Sequence, residues 1–283
     1  MSPMNNRRLV PTQEPLLLDY APGAAAAYSL RKLSLSYTGP VVTVRRASDD
    51  AEADFTASEI DDGTLLGWVG AGVSGFVKTW HDQSGEGNDA TQTTTGYQPR
   101  IVDAGTLETE GGKAAVRFDG TDDEMETATF PLGVEFASSF SVTRSNDSAT
   151  EQVILHVRGN QAIDTRLFSL GLNYAGNDSI AVNVVSETGL LSHTGDFYVN
   201  SSAIISSVFA DMVISTPLLY ILGVSLDDTT HRTRSVGSAN RPIFIGSRAG
   251  EYFYSGTISE LIIYPSDMTA QRQRIEGDLA WYY

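Results

Sequence analysis

The segment YFYSGTISELIIY (residues 252–264) is rich in aromatic and β-branched residues, which favour extended backbone. Shorter runs of this kind recur along the chain, separated by turns of Gly, Asn, Asp and Ser. Because no helices alternate with these runs, they predict an all-β, antiparallel sandwich or jelly roll. Strands are expected at residues 41–44, 76–80, 114–118, 140–143, 152–157, 167–172, 180–185, 218–224, 232–236, 242–245 and 252–264.

A few short helices are expected at the periphery of this sandwich. The Ala-rich run AAAAYSLRKL (residues 24–33) predicts one helix, and residues 65–69 predict a second with Thr64 as its N-cap. A C-terminal helix is expected after Thr269, which is its predicted N-cap. Three residues lie at helical spacing on one face of that helix: Ile275, Leu279 and Tyr282.

Composition excludes several classes of protein. The chain has 283 residues and no cysteine, so disulfide frameworks, thiolate zinc sites and cysteine nucleophiles are ruled out. Its net charge of −16 and the lack of a basic patch weigh against a nucleic-acid partner. The most apolar stretch, residues 203–226, is interrupted by Asp211 and Pro217, so we expect no membrane span.

The chain is expected to consist of an N-terminal arm, residues 1–20, and one sandwich domain, residues 21–283. The arm has neither helical nor strand periodicity. It is interpreted either as a disordered terminus or as a tether that docks on a neighbouring protein. The candidate anchor residues of that tether are Arg7, Arg8, Leu16, Leu17 and Leu18.

The turn WHDQSGEGNDATQ (residues 80–92) follows a predicted strand and carries two interpretations. Asp and Asn side chains bond nearby backbone while glycines supply positive φ, which favours a tight turn held by its own side chains. The alternative is a calcium loop with Asp82, Asn88 and Asp89 as oxygen ligands, although the spacing is not that of an EF-hand. Calcium is the one cofactor that the sequence suggests.

A second acidic turn follows the strand predicted at residues 114–118; its carboxylates repel one another unless they are solvated or bridged by a cation, and a solvated turn is the favoured interpretation. It contains Asp119, Asp122, Asp123 and Glu124. The four histidines do not lie at metal-ligand spacing, and the chain has neither a Gly-x-Ser-x-Gly elbow nor a phosphate-binding Gly-x-x-x-x-Gly-Lys loop. Metal-hydrolase, serine-hydrolase and nucleotide-hydrolase functions therefore have no support.

Three blocks, residues 24–55, 80–92 and 251–283, together with GGKAAVRFDGTDDE (residues 111–124), resemble a known group of domains. They look like the concanavalin A-like (laminin-G-like) modules of bacteriophage virion and tail-fibre proteins. Those modules are similar in turn to the catalytic domain of α-L-arabinofuranosidase B, glycoside hydrolase family 54. The resemblance covers most of residues 21–283 and implies the sandwich fold.

The catalytic residues of that hydrolase family are not matched here. Its nucleophilic Glu corresponds best to Val185, with Glu187 two residues further on. Its acid/base Asp corresponds to the turn Ser247-Arg248-Ala249-Gly250, and an arginine cannot donate a proton at neutral pH. The adjacent cysteines of the family are also absent. The resemblance therefore implies the scaffold without its catalytic pair.

We accordingly expect a non-enzymatic structural protein of a phage virion, made in the bacterial cytoplasm. It would be a tail-fibre, tail-associated or capsid-surface component that recognises a host glycan. Its partners would be other virion proteins bound through the arm and further copies of itself, with a trimer as the candidate assembly.

Two alternatives remain open. One is a free-standing lectin, in which aromatic side chains beside turns stack on sugar rings; the candidates are Tyr174, Tyr198, Tyr252 and Tyr254. The other is an arabinofuranosidase-type hydrolase with relocated carboxylates, for which the candidates are Glu187, Asp196 and Glu251.

Overall fold

A computed structural model describes residues 13–128, 130–132, 138–147, 150–158, 166–172, 180–184, 203–208, 218–221, 224–226 and 239–283. Its helices are α1 Leu17–Tyr20, α2 Ala57–Asp61, α3 Thr64–Val69 and α4 Arg272–Tyr282, with a 3-10 helix at Thr95–Tyr97. The first eleven strands are β1 Ala26–Ser29, β2 Val42–Arg46, β3 Glu52–Phe55, β4 Gly75–Trp80, β5 Ala90–Thr91, β6 Arg100–Asp103, β7 Thr106–Leu107, β8 Thr109–Glu110, β9 Lys113–Ala114, β10 Val116–Asp119 and β11 Met125–Thr127. The others are β12 Phe130–Leu132, β13 Ser138–Ser145, β14 Gln152–Arg158, β15 Arg166–Leu172, β16 Ile180–Val184, β17 Ala203–Val208, β18 Leu218–Ile221, β19 Val224–Leu226, β20 Ala239–Arg241, β21 Ile243–Ile245 and β22 Ser255–Tyr264.

The long strand β22 lies at the centre of the main sheet. One of its edges pairs antiparallel with β13, and its other edge pairs first with β10 and then with β1. Beyond β13 the sheet continues through β17, β18 and β19. Beyond β10 it continues through β6 to β4, which pairs with β2. This layer therefore joins residues from both ends of the chain.

The second layer is formed by the succession β16, β15, β14, β21, β11 and β5, all paired antiparallel. The end of β4 pairs with β5, so the two layers are parts of one curled sheet. Curling the sheet over itself brings two apolar faces together, which is how a sandwich buries its core. The predicted all-β antiparallel sandwich is confirmed.

Two apolar clusters fill this architecture. The larger lies between the layers and includes Trp80, Phe118, Tyr254 and residues of β22 such as Leu261. The smaller lies on the outer face of β13 and β22, where α1 and α4 cover it. Its members include Leu17, Leu18, Phe140, Tyr264, Ile275 and Leu279. The helices α1 and α4 therefore pack on the sheet and complete a second apolar core.

A buried ion pair fixes α4 against the sheet. Glu260 of β22 is fully buried, and Arg31 donates to both of its carboxylate oxygens at 2.8 and 3.1 Å. The same guanidinium donates to Asp278 of α4 at 2.6 Å. A buried carboxylate requires such partners because its desolvation is otherwise uncompensated. The ring of Tyr282 lies 4.5 Å from the guanidinium carbon and completes the contact.

Ten of the eleven predicted strands overlap observed ones, and residues 232–236 lie outside the described residues. The helix predicted at residues 24–33 is wrong, because β1 occupies Ala26–Ser29 there. All four residues of β1 are buried and pair with β22, so tertiary pairing overrides the helical preference of alanine. No helix among the described residues is long and apolar enough to cross a membrane.

The other two predicted helices are present with different caps. α3 begins after Gly63, a left-handed residue at φ 84°, and the amide of Thr64 donates to Asp62 Oδ1. α4 begins at Arg272 after Gln271, whose side chain makes no capping bond, rather than at Thr269. Ile275 and Leu279 are buried on the predicted apolar face, and Tyr282 is partly buried.

The structure of residues 13–20 corrects part of the prediction that the arm anchors the protein to a neighbour. Leu17 is fully buried and Leu18 nearly so, and both belong to the core cluster beneath α4. Side chains that are buried against their own domain are not available to bind a neighbouring protein. Leu16 is only partly buried, and Arg7 and Arg8 lie outside the described residues, so an anchor role for those three stays a prediction.

We predict that Leu17→Ala lowers the free energy of unfolding by about 2–4 kcal/mol, because it leaves a cavity in a packed cluster. The matched control is Leu16→Ala, which removes the same atoms from a partly buried position. Urea unfolding of both variants measures the difference. Equal and small effects would contradict the placement of the arm in the core.

Candidate functional site

The turn after β4 is organised by one buried carboxylate. Asp82 Oδ1 accepts from the amides of Ala27 and Ser84 at 2.8 and 2.9 Å. Asp82 Oδ2 accepts from the hydroxyl of Ser84 at 2.7 Å and the amide of Asn88 at 3.0 Å. Both oxygens are thus engaged by the protein itself. The Asp82 side chain connects the turn to β1 through the amide of Ala27.

The remaining candidate calcium ligands serve the same turn. Asp89 accepts from the amide of Asp82 at 2.8 Å and lies 3.0 Å from His81 Nδ1. Burial raises the pKa of Asp89, but these hydrogen bonds outweigh it and the pKa is lowered overall. Asn88 Nδ2 donates to the carbonyl of Ala25 at 2.7 Å. These contacts show that the side chains of Asp82, Asn88 and Asp89 hold the turn together, and a calcium-binding role for them stays a prediction.

A polar relay that the sequence did not suggest lies beside this turn. His81 Nε2 is 2.9 Å from Thr43 Oγ1, and its Nδ1 faces Asp89. A hydroxyl, imidazole and carboxylate in this order are the elements of a nucleophilic triad. Here, however, the Thr43 hydroxyl donates a hydrogen bond to Asp54 Oδ1 at 2.6 Å, so its hydrogen points away from His81. The relay therefore connects β2, β3 and the turn instead of activating Thr43.

The second acidic turn brings one carboxylate oxygen each of Asp119, Asp122 and Asp123 within 4.8 Å of one another. The backbone of the turn explains this geometry: Asp119 Oδ1 accepts from the amides of Thr121 and Asp122, and Asp123 Oδ2 accepts from the amide of Asp119. Burial, followed by the charge of Asp119, raises the pKa of Asp123 to about 7. Asp123 is therefore poised to titrate near neutrality.

A third polar cluster lies at the turn that follows β21. Glu124 Oε2 accepts from Ser247 Oγ at 2.5 Å and from the amide of Gly250 at 3.0 Å. Gly246 begins this turn at φ 84°, and a Cβ there would lie 2.3 Å from the ring of Phe118, so only glycine fits. Glu124 thus connects the acidic turn to the turn of residues 246–252.

An exposed tyrosine, stacked on a partly buried arginine, completes this cluster. The guanidinium carbon of Arg248 lies 3.7 Å from the ring centroid of Tyr252. Arg248 also pairs with Glu251 at 3.1 Å and with Glu151 at 3.7 Å. Tyr252 has a left-handed backbone, φ 56°, and is 37% exposed. The turn therefore presents the side chains of Tyr252 and Glu251 to solvent, with Arg248 partly buried against both.

The structure separates the four tyrosines predicted to bind sugar. Tyr252 is exposed as expected, whereas Tyr254 is fully buried, with its hydroxyl against Thr143. The sugar-binding role of Tyr254 is thus corrected, because its ring belongs to the core. Tyr174 and Tyr198 lie outside the described residues. An aromatic residue that the sequence did not single out, Tyr97, is 43% exposed beside Glu124.

Of the candidate relocated carboxylates, the structure places Glu251 in the Arg248 turn, where it is exposed and ion-paired. Glu187 and Asp196, like Val185, lie outside the described residues. The turn predicted to replace the family's acid/base Asp is present at residues 247–250, with Arg248 partly buried there.

Comparison with solved structures identifies the same scaffold in known enzymes. A glycoside hydrolase family 54 α-L-arabinofuranosidase soaked with 4-nitrophenyl α-L-arabinofuranoside aligns with a TM-score of 0.63 at 16% identity, covering 90% of this chain and 62% of that one. An arabinofuranosidase complexed with arabinofuranosyl-α-1,2-xylobiose aligns with a TM-score of 0.61 at 17% identity, with the same coverage. At such identities the likeness shows the fold alone.

This chain spans 62% of the length of those enzymes. No family model and no curated protein matches it. The protein thus shares its fold with carbohydrate-active glycoside hydrolase domains, which confirms that part of the resemblance seen in the sequence. The phage-module part stays a prediction.

We predict that Asp82→Asn destabilises the protein by about 2 kcal/mol or more, because the amide group would turn a donor toward atoms that already donate. Glu86→Gln, in the exposed part of the same turn, is the control and changes little. Urea unfolding at pH 7 compares the two. A harmless Asp82→Asn would contradict the role given to this carboxylate.

We predict that stability falls between about pH 4 and pH 7 through Asp123. Its usual value is 3.8 and its folded pKa is about 7, so the folded state binds the extra proton in this window. Full stabilisation is present below about pH 4 and is lost as the pH rises through 7, by on the order of 2–4 kcal/mol. Asp123→Asn, measured by urea unfolding across this range, flattens the profile.

Glu14→Gln, which changes an exposed carboxylate in the arm, keeps the wild-type slope. An unchanged slope in Asp123→Asn would contradict the assignment of this titration.

Proposed function

We propose that this protein is a carbohydrate-binding sandwich module that holds its ligand at the Arg248–Tyr252 turn without cleaving it. The observation that carries the proposal is the exposed Tyr252 ring, held in place by Arg248 at 3.7 Å. Sugar sites combine an aromatic platform for the apolar face of the ring with a few fixed polar groups for its hydroxyls. This turn supplies both.

The turn is preorganised for such a role. Its backbone is fixed by Glu124, by the amide of Arg248 donating to the carbonyl of Glu251 at 2.7 Å, and by the amide of Val153 donating to the carbonyl of Tyr252 at 2.9 Å. Groups that are already ordered lose little conformational entropy when a ligand binds. Weak individual contacts to a sugar can therefore produce measurable affinity.

We propose that the bound sugar is not cleaved because the same turn has no side chain that matches the family's proton donor. A retaining glycosidase needs two carboxyl groups about 5–5.5 Å apart, one of which gives up a proton. At the position matching the family's proton donor this chain has Arg248, whose guanidinium stays charged and cannot serve as an acid.

The competing hydrolase function is favoured by one observation. Arg248 is ion-paired with two carboxylates, those of Glu151 and Glu251, in a protein whose fold is shared with arabinofuranosidases. An assay with aryl arabinofuranosides distinguishes the functions. Turnover that is lost in Glu251→Gln or Glu151→Gln would establish the enzyme.

The biological setting is proposed separately. The three blocks at residues 24–55, 80–92 and 251–283, which resemble modules of phage virion and tail-fibre proteins, support a place on a phage particle. Recognition of a host glycan would suit that setting. The candidate trimer and attachment through Arg7, Arg8 and Leu16 belong to the same proposal, which electron microscopy of assembled particles would test.

We predict that Tyr252→Ala lowers the affinity for a bound glycan about tenfold, equivalent to about 1.4 kcal/mol. Trp281→Ala is the matched control, since it removes an aromatic residue that is 86% exposed on α4 and outside the turn. A glycan array identifies the ligand, and calorimetric titration measures each variant. Absence of binding to any glycan, or equal loss in both variants, would overturn the proposed site.

A further inference from the structure

We infer that the site takes an extended neutral oligosaccharide, with Tyr97 as a second aromatic platform beside Tyr252. This inference rests on the proposed function and names its ligand class. Among the described residues, the large apolar side chains that are strongly exposed are Tyr97, Tyr252 and Trp281. Two of the three therefore lie at the same cluster.

Glu124 connects the two tyrosines. Its amide donates to the carbonyl of Tyr97 at 3.1 Å, while its carboxylate accepts from the amide of Gly250, two residues before Tyr252. Chain reach through these contacts keeps the Cα atoms of the two tyrosines within roughly 20 Å of each other. A ligand of several sugar rings can span a separation up to that limit and so contact both tyrosine rings.

The charges around the platforms select a neutral ligand. Glu124, Glu151 and Glu251 lie at the turn, and Asp119 and Asp122 are near Glu124 in the chain. Uronate or sialate carboxylates would be repelled by these groups. Arg45, the cation that contacts the 3-10 helix containing Tyr97, is already paired with Asp50.

The cation at the turn does not reverse this preference. Arg248 is already paired with Glu151 and Glu251 and stacked on Tyr252, so it is poorly placed to neutralise an acidic sugar. It can still donate to neutral hydroxyls, which the carboxylates can accept from in turn. The polar groups of the turn therefore match the hydroxyls of a neutral glycan.

The test begins with an array that carries neutral glycans beside uronate- and sialate-containing ones. The best neutral glycan is then titrated calorimetrically as a series from one to five sugar units. We expect affinity to rise with length, and Tyr97→Ala to lower it about tenfold for the longest member but not for the shortest. Tyr252→Ala should weaken binding of every member, and Tyr97→Phe, which retains the ring, should resemble the wild type.

The outcomes separate the two proposals. If the array shows no bound glycan, the proposed function fails and this inference fails with it. If a glycan binds and depends on Tyr252, the proposed function stands. In that case a preference for acidic glycans, or an affinity for the longest member that Tyr97→Ala leaves unchanged, overturns the inference alone.

Discussion

The buried carboxylate of Asp82 accepts four hydrogen bonds, three from its own turn and one from the amide of Ala27, and this interaction connects the turn of residues 80–92 to the first strand. Gln83 extends it by accepting from the amide of Leu33 and donating to the carbonyls of Ser29 and Arg31. β1, held in this way, pairs antiparallel with β22, the central strand of the main sheet. Hydrogen bonds to a charged, buried group are stronger than neutral ones, so this loop has little conformational choice.

At the candidate site, too, a carboxylate that accepts several hydrogen bonds orders a turn. One carboxylate, Glu124, accepts from a hydroxyl and an amide of the neighbouring turn, and that restraint places Arg248 and Tyr252 at the surface. Loops that recognise ligands work best when a rigid scaffold positions them. The fold that positions this turn is shared with glycoside hydrolase domains.

Alternation along a strand explains why the sequence alone does not separate Tyr252 from Tyr254. In extended backbone, residues two apart face the same side of the strand, so the sequence predicts the same exposure for Tyr252 and Tyr254. Tyr252 instead lies before β22 with a left-handed backbone, whereas Tyr254 enters the core. Similarly, Ala26 and Ala27 carry a helical preference, and their pairing with β22 makes them strand residues. Neither outcome is encoded locally, because both depend on neighbours distant in the chain.

The sequence by itself determined the fold class, because aromatic and β-branched runs separated by turn residues have a local physical meaning. It also determined that the turn of residues 80–92 can be held by its own Asp and Asn side chains. Only the tertiary structure decided which polar atoms are engaged, that Leu17 and Leu18 belong to the core, and that Tyr97 lies beside Glu124. Those properties arise from contacts between segments far apart in the chain, which no local pattern specifies.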